Sequence, residues 1–167
     1  MKSASVAAAS KNKAQESYEK IPLDRAKSSF TFEGYGPSGS ERCAFGEWSG
    51  FLYVKAGRIV GGEGVIKAAS VKTGIGKLDS HLKSADFFDV EHYPEIRFKS
   101  AVQSGEEAQG RGELTFRGIT RDVAFPVKVT AKSISADFLF DTRPFGIPYA
   151  GMKPEVRIIF TLIMAQG

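Results

Sequence analysis

Hydrophobic residues recur at every second position through most of the chain, which is the period of a β-strand with one buried face. The clearest case is 154–165, where Val156, Ile158 and Phe160 share one face. In 57–70 the alternation is interrupted by glycines, which indicate a bulge or a sharp bend. The pattern predicts strands within residues 28–34, 41–57, 57–70, 95–103, 110–118, 122–133, 135–142 and 154–165.

One segment departs from this period. Ile75, Leu78 and Leu82 recur at helical spacing, and Ser84 is placed to cap a second turn. The spacing therefore predicts a short helix inserted between two strands of an all-β protein. Antiparallel strands joined by short turns favour a sandwich or a closed barrel, and a barrel of about eight strands either fills with side chains or holds one small ligand.

The chain has 167 residues, the length of a single domain. Residues 1–21 are rich in Ala, Ser and Lys and are predicted to be a mobile lead-in, so the domain is expected to span 22–167. The longest apolar run near the start, residues 6–9, is too short for the core of a signal peptide. No segment approaches the ~18 consecutive apolar residues of a membrane helix.

Thirteen Phe against one Trp supply apolar area without polar groups, so they suit a large apolar interior. The net charge of +4 comes from Lys and Arg scattered along the chain, and aromatic and basic residues alternate on opposite strand faces. This distribution argues against nucleic-acid binding. Mild basicity fits a solvated surface and leaves a transient contact with an anionic membrane surface open.

The segment 79–100 contains both histidines and is the first candidate for chemistry. Asp79, His81 and His92 suggest an acid/base or metal site, but Asp79 and His81 diverge on a helix, and no HxxxH spacing occurs. These groups are better suited to capping the helix and closing the turn, so neither a metal nor a cofactor is predicted. A small enzyme built on these three residues stays as the alternative.

Cys43 is the single cysteine, so the chain has no internal disulfide. It lies in an apolar strand, which predicts a packed thiol and not a nucleophile. The phenylalanine-rich faces admit two interpretations, a solid core or the wall of a ligand cavity, and on the residues alone a solid core is the simpler one.

A resemblance to a known family bears on that choice. The segment 70–100 matches a family pattern of Ser-x-x-Thr-Gly, Asp-x-His-Leu-x-Ser-x-x-Phe-Phe-Asp, Tyr-Pro and Phe-x-Ser, and residues 112–127 and the "RPFGI" segment continue it. In these motifs the chain resembles the YceI family of lipid- or polyisoprenoid-binding proteins over residues 24–165. The matching residues are Ser70, Thr73, Gly74, Asp79, His81, Leu82, Ser84, Phe87, Phe88, Asp89, Tyr93, Pro94, Phe98 and Ser100.

The resemblance implies a lipocalin-like antiparallel barrel whose interior holds a long isoprenoid or fatty chain. It further implies a carrier or sequestering protein, not an enzyme, that is periplasmic or secreted. A homodimer is left open, as is a stress-related interaction module with a filled core. The expected ligand-binding residues are Phe30, Phe32, Phe45, Trp48, Phe87, Phe88, Phe98, Leu114, Phe116, Phe125, Val127, Phe138, Phe140, Ile158 and Phe160.

Within that resemblance, the helix and the turn after it are expected to cap part of the barrel. Phe87 and Phe88 would act as apolar plugs, while Asp79, His81 and Ser84 would hold the segment in place. The chain departs from the family where Cys43 replaces an expected glycine and where the turn at 132–138 is short. The first departure predicts a local fit to a different ligand, and the second predicts a different barrel mouth.

Overall fold

The computed structural model describes residues 18–37, 39–103, 108–147 and 152–165. These residues form strands and one α-helix, α1, with short 3-10 turns at Ala68–Ser70 and Arg143–Phe145. The elements are β1 Glu19–Pro22, β2 Ser29–Gly36, β3 Gly39–Phe45, β4 Trp48–Lys55, β5 Arg58–Lys67, β6 Val71–Lys72, α1 Gly76–Lys83, β7 Glu95–Gln103, β8 Gln109–Phe116, β9 Ile119–Pro126, β10 Lys128–Val129, β11 Ser133–Asp141 and β12 Glu155–Ile163.

The strands form two antiparallel sheets of six strands each. Sheet I has the order β1-β4-β5-β7-β8-β9, and sheet II has the order β10-β11-β12-β2-β3-β6. One hairpin of sheet I turns at Ala56–Gly57, with φ values of 52° and 76°, and another turns at Arg117–Gly118, with φ values of 53° and 73°. Two successive positive φ values are the type I′ geometry that matches the twist of the flanking strands, which is why glycine follows in both turns.

Alternation places the apolar side chains on the facing surfaces of the two sheets. In sheet II, Phe30 pairs with Phe160 and Phe32 pairs with Ile158, so the predicted faces of β2 and β12 coincide. The prediction of an all-β protein is confirmed. The core between the sheets divides into two clusters of buried residues, one beside α1 and the other between β4, β9 and β12.

The observed strand pairing does not form the closed barrel of about eight strands that was expected. Among the described residues the strand ladders do not join into one closed sheet. The predicted strand 41–57 is two strands in different sheets, because the chain turns at Gly46, whose N–H donates to the Ser70 carbonyl at 2.9 Å. The predicted strand 122–133 is also divided, since Pro126 ends β9 without a ladder donor and the chain passes to sheet II.

The helix occurs where it is predicted, between β6 and β7. Ser84 ends α1 and does not begin a second helical turn: its hydroxyl donates to the His81 carbonyl at 2.6 Å and accepts from the Asp86 N–H at 3.3 Å. The next residues form turns, closed by bonds such as Phe87 N–H to Ser84 O at 3.0 Å. A hydroxyl that bonds nearby backbone in this way favours a turn over continued helix.

The predicted lead-in, residues 1–21, falls largely outside the described residues. Its last part is strand β1, which begins at Glu19 and pairs with β4, with Ile21 opposite Leu52. Residues 19–21 of the predicted lead-in are thus part of a paired strand of sheet I. No helix in the described ranges has the length and apolarity to cross a membrane.

Candidate functional site: an apolar cavity

A cavity of about 470 Å³ lies between the two sheets. Its walls come from the inner faces of both sheets, from α1 and from the turn that follows α1. The volume falls within the range of about 300–1,000 Å³ that is usual for small-molecule sites. The interior is therefore not a filled core.

One end of the cavity is formed by aromatic rings, here called the aromatic end: Phe32, Phe45, Phe88, Phe116 and Phe145. Ring centroids lie 5.5 Å apart for Phe32–Phe45, 5.6 Å for Phe88–Phe116 and 5.6 Å for Phe116–Phe145. Each ring meets the next in a tilted arrangement that aromatic quadrupoles favour. The rings share one continuous cluster with α1, which closes this end of the cavity.

The turn after α1 holds Phe87 and Phe88 against the cavity, and both side chains are 8% exposed. The Arg117 guanidinium secures this turn from the β8–β9 hairpin by donating to the carbonyl oxygens of Ala85, at 2.9 Å, and of Phe87. Asp79 anchors the start of α1, because its Oδ1 accepts from the Thr73 N–H at 2.8 Å and from the Thr73 hydroxyl at 2.6 Å.

Small residues form a contrasting region of sheet I, here called the glycine wall: Gly62, Gly64, Ser100 and Gly110, which line the cavity, and Gly112, which pairs with Ser100. Gly62 pairs with Ser100, and Ser100 with Gly112, so three small residues adjoin across β5, β7 and β8. A Cβ on Gly112 would collide with the Lys99 carbonyl oxygen and with Ser100. Close approach of the backbones thus requires glycine here and leaves the cavity free of side chains.

Polar residues also border the cavity: Glu41, Ser49, Glu63, Ser100, Arg121, Asp122, Asp141, Thr142 and Lys153. Ser100 follows Phe98 on the inner face of β7, where alternation directs its hydroxyl towards the cavity. Arg121 is exposed, and its Nε donates to the Pro144 carbonyl at 3.3 Å. The site therefore combines a largely apolar wall with a smaller set of polar residues, as is common in binding sites for apolar molecules.

Cys43 lies on the cavity wall and is buried. Burial, followed by the charges of Glu41 and Asp79, raises the pKa of its thiol to about 12. The thiol therefore stays protonated near neutral pH, and a protonated thiol is a poor nucleophile. This agrees with the predicted packed thiol.

The structure brings nearly all of the expected ligand-binding residues to this cavity. Val127 is the exception: it is 8% exposed and packs in the cluster with Phe125 without lining the cavity. Sequence periodicity missed two kinds of lining residue. Glycines carry no hydrophobic signal, and residues in irregular segments have no period to detect. Lining residues of these two kinds that the sequence analysis did not name include Leu23, Gly62, Gly64, Gly110, Phe145, Ile147 and Met152.

The alternative acid/base or metal site is not assembled in the described residues. His81 contacts the ring of Phe87, with centroids 5.2 Å apart, while His92 pairs with Asp89 at 2.9 Å and Asp79 binds Thr73. The three proposed residues thus have different partners. In the described part of the chain, no group of three or more His, Cys, Asp or Glu side chains is placed to hold a metal ion.

Fold and site together define an all-β protein whose two sheets enclose an apolar cavity. The chain belongs to the family of YceI-like domains, whose family model matches residues 22–164. The resemblance found in its motifs is thereby confirmed.

Relatives and solved structures extend this result. Protein YceI of Escherichia coli O157:H7 is 35% identical over 95 residues, which is 56% of this chain and 46% of that protein. A UPF0312 protein of Pseudomonas putida strain GB-1 is 46% identical over 63 residues, 36% of this chain and 33% of the relative. The matches thus span less than half the length of these two relatives.

Two solved structures share the fold. Burkholderia cenocepacia BcnA superposes with a TM-score of 0.77 at 22% identity, covering 86% of this chain and 99% of BcnA. A polyisoprenoid-binding domain from Saccharophagus degradans, implicated in plant cell wall breakdown, superposes with a TM-score of 0.63 at 18% identity, covering 89% of this chain and 99% of that domain. At these identities the likeness describes the fold.

Proposed function

We propose that the protein binds one long-chain apolar ligand, a polyisoprenoid or a fatty-acid-like lipid, and carries or sequesters it in the cavity. The observation that carries this proposal is the apolar cavity of about 470 Å³ between the sheets. Membership of the family and a structural neighbour described as polyisoprenoid-binding support it.

The source of affinity is the burial of the chain. Each buried methylene contributes about 0.8 kcal/mol, so the length of the chain dominates and a polar end group mainly sets orientation. The rings of the aromatic end and the inner faces of β2, β9, β11 and β12 are the contact surfaces in this proposal. Ordering of the ligand reduces the net gain, so affinity rises with chain length only while further methylenes still enter the cavity.

No chemical step is part of the proposed function. The cavity wall is largely apolar, and the buried thiol of Cys43 is held protonated by its raised pKa. We therefore propose a binding protein and not an enzyme. The same proposal leads us to expect export to the periplasm or beyond the cell. It also leads us to expect transient contact with an anionic membrane surface during transfer, and a homodimer.

The test is native mass spectrometry of the protein purified from its own host, followed by organic extraction. We expect an added mass that corresponds to one long-chain molecule and that disappears after extraction. The extracted protein is then titrated with saturated fatty acids of increasing length, and affinity should rise with each methylene up to a limit. Absence of bound mass together with affinity that does not depend on chain length would contradict the proposal.

A matched pair of variants locates the binding site in the same titration. Ser100→Val adds bulk to the inner face of β7, and Ala101→Val adds bulk to the outer face at the next residue. Weaker binding in the first variant and unchanged binding in the second would assign the ligand to the cavity. Equal effects would place it elsewhere.

A further inference from the structure

In the described ranges no strand ladder joins the two sheets between β9 and β11. β9 is the last strand of sheet I, and in sheet II the two-residue strand β10 pairs with β11 only at Ser135 and Ile134. Residues 136–141 of β11 therefore pair with β12 alone. We call the gap between residues 120–125 of β9 and residues 136–141 of β11 the seam.

The lining of the cavity changes at the seam. On the paired strand β12 only alternate residues line the cavity: Val156, Ile158, Phe160 and Leu162. On β9 and β11, consecutive residues line it, 121–125 and 138–142. Because successive residues of a strand point to opposite faces, a cavity bordered by both faces must reach around the strand edge. The cavity thus extends sideways into the seam.

Strand β5 also contributes consecutive residues, 61–66, but for another reason. β5 is paired on both sides, with β4 and β7, so it has no free edge. Three of the six residues are glycines, which leave the backbone itself accessible from the cavity. β9 and β11, which flank the seam, have no such run of glycines, so exposed backbone does not explain their consecutive lining residues.

Contacts that cross the seam are found near its two ends. At the corner where β9 passes into β10, the rings of Phe125 and Phe138 stack with centroids 4.8 Å apart. At the other end, Arg121 Nε donates to the Pro144 carbonyl at 3.3 Å. In the described part of the chain no backbone pairing joins β9 to β11. The seam can therefore widen without breaking a ladder, which makes it a site of easy local opening.

The outer lip of the seam carries an exposed apolar side chain. Leu139 is 65% exposed, the highest value among the exposed large hydrophobic residues, and it also borders the cavity. Its neighbours Phe138 and Phe140 lie on the inner face and are half-buried. Leu139 thus links the outside of the molecule with the apolar interior.

We propose that the ligand chain enters and leaves the cavity sideways through the seam, and that Leu139 contacts the chain on the outer lip during passage. This inference rests on the proposed binding function. In this proposal β9 and β11 determine how fast the ligand exchanges, whereas the walls of the cavity determine the equilibrium affinity.

The first test closes the seam covalently. Ala124→Cys and Leu139→Cys together place one thiol on each lip, and a short bis-maleimide joins them; Cys43 stays unmodified because burial raises its pKa to about 12. The probe is cis-parinaric acid, whose fluorescence rises on binding, followed by stopped flow. We expect the linked protein to bind and release the probe about tenfold or more slowly than the unlinked double variant. Unchanged rates in the linked protein would overturn lateral entry.

The second test does not depend on the link. Leu139→Thr introduces a residue that is common in strands but removes the large apolar side chain from the lip. Ile75→Thr also replaces an exposed apolar side chain by threonine, at a residue that does not line the cavity. We expect slower association and dissociation of the probe for Leu139→Thr and wild-type rates for Ile75→Thr. Equal rates for both variants and the wild type would overturn the role of Leu139.

The same measurements separate the two proposals. If the wild-type protein binds neither cis-parinaric acid nor longer fatty acids, the proposed binding function fails. If the wild type binds them and the linked protein exchanges them equally fast, binding stands and lateral entry fails.

Discussion

The aromatic end and the glycine wall are built from the same alternating pattern and yet have opposite effects on the interior. At the aromatic end, inward positions carry rings that contact one another and fill space. On the glycine wall, Gly62, Ser100 and Gly112 adjoin across three strands, and the inward face carries almost no side-chain volume. The cavity exists because large residues on sheet II face small residues on sheet I.

This difference shows what periodicity can and cannot establish. Alternation states which residues point inward, but the sum of side-chain volumes across the two sheets decides whether the inside is a core or a cavity. The two regions should therefore respond differently to substitution. Removing a ring should leave a void, whereas adding a methyl group at Gly112, where the backbones are closest, should force them apart.

The largest effect is expected at the aromatic end. Phe145 is 1% exposed and contacts the rings of Phe116 and Phe140, at 5.6 and 5.7 Å. Phe145→Ala should lower the free energy of unfolding by about 3–5 kcal/mol, because it removes a buried ring and leaves a void. Urea unfolding measures the change.

Phe51→Ala serves as the control, because Phe51 is 39% exposed on sheet I. A cost for Phe145→Ala no greater than that of the control would mean that the aromatic end is loosely packed, and the contrast between the two regions would fail.

Next in size is the effect of added volume on the glycine wall. A Cβ on Gly112 collides with backbone atoms of β7, whereas a Cβ on Gly64 has its nearest neighbour, the Ser49 carbonyl oxygen, at 3.4 Å. Gly112→Ala should cost about 1–3 kcal/mol through overpacking. Gly64→Ala should be close to neutral. Thermal unfolding of both variants tests this difference, and equal stability would show that β7 and β8 separate easily.

The contrast also explains how much of the fold and of the cavity wall can be predicted from the sequence. The strand faces, the helix between strands and nearly all of the proposed wall residues follow from local periods and motifs. The division of the strands at Gly46 and Pro126 was not predicted, and the choice of a closed barrel over a two-sheet sandwich was wrong for the observed pairing, because both depend on which strands pair. The glycine wall was also missed, since Gly62, Ser100 and Gly112 come together only through pairing across the sheet.

Ligand binding tests the glycine wall more directly than stability does. If the space over Ser100 holds part of the ligand chain, Ser100→Val should weaken binding of a long-chain fatty acid about tenfold, which corresponds to 1.4 kcal/mol. Ala101→Val adds volume on the opposite face of β7 and should leave affinity unchanged. Isothermal titration with a short and a long fatty acid measures both. A loss that is the same for both lengths would indicate that the chain does not extend over Ser100.

The smallest effect concerns the outer surface behind the glycine wall. Glu63 lies between Gly62 and Gly64 on β5, its carboxylate accepts from the Tyr53 hydroxyl at 2.5 Å, and Lys20 Nζ lies 3.0 Å from it. The hydrogen bond from Tyr53, followed by Lys20, lowers the pKa of the Glu63 carboxyl. A lowered pKa contributes stability above the unfolded pKa of about 4.3, and this contribution is lost as pH falls through the folded value.

Glu63→Gln should therefore lower the free energy of unfolding at pH 7 by less than about 1 kcal/mol, because solvent screens the charges. The deficit should shrink as pH falls from the unfolded pKa of about 4.3 through the lowered folded pKa, because the wild-type carboxylate then becomes protonated. Glu113→Gln, in the same outward cross-strand row, is the control. Urea unfolding from pH 3 to pH 7 compares the variants. A deficit that does not change with pH would mean that the packing of Glu63, and not its charge, supports the glycine wall from outside.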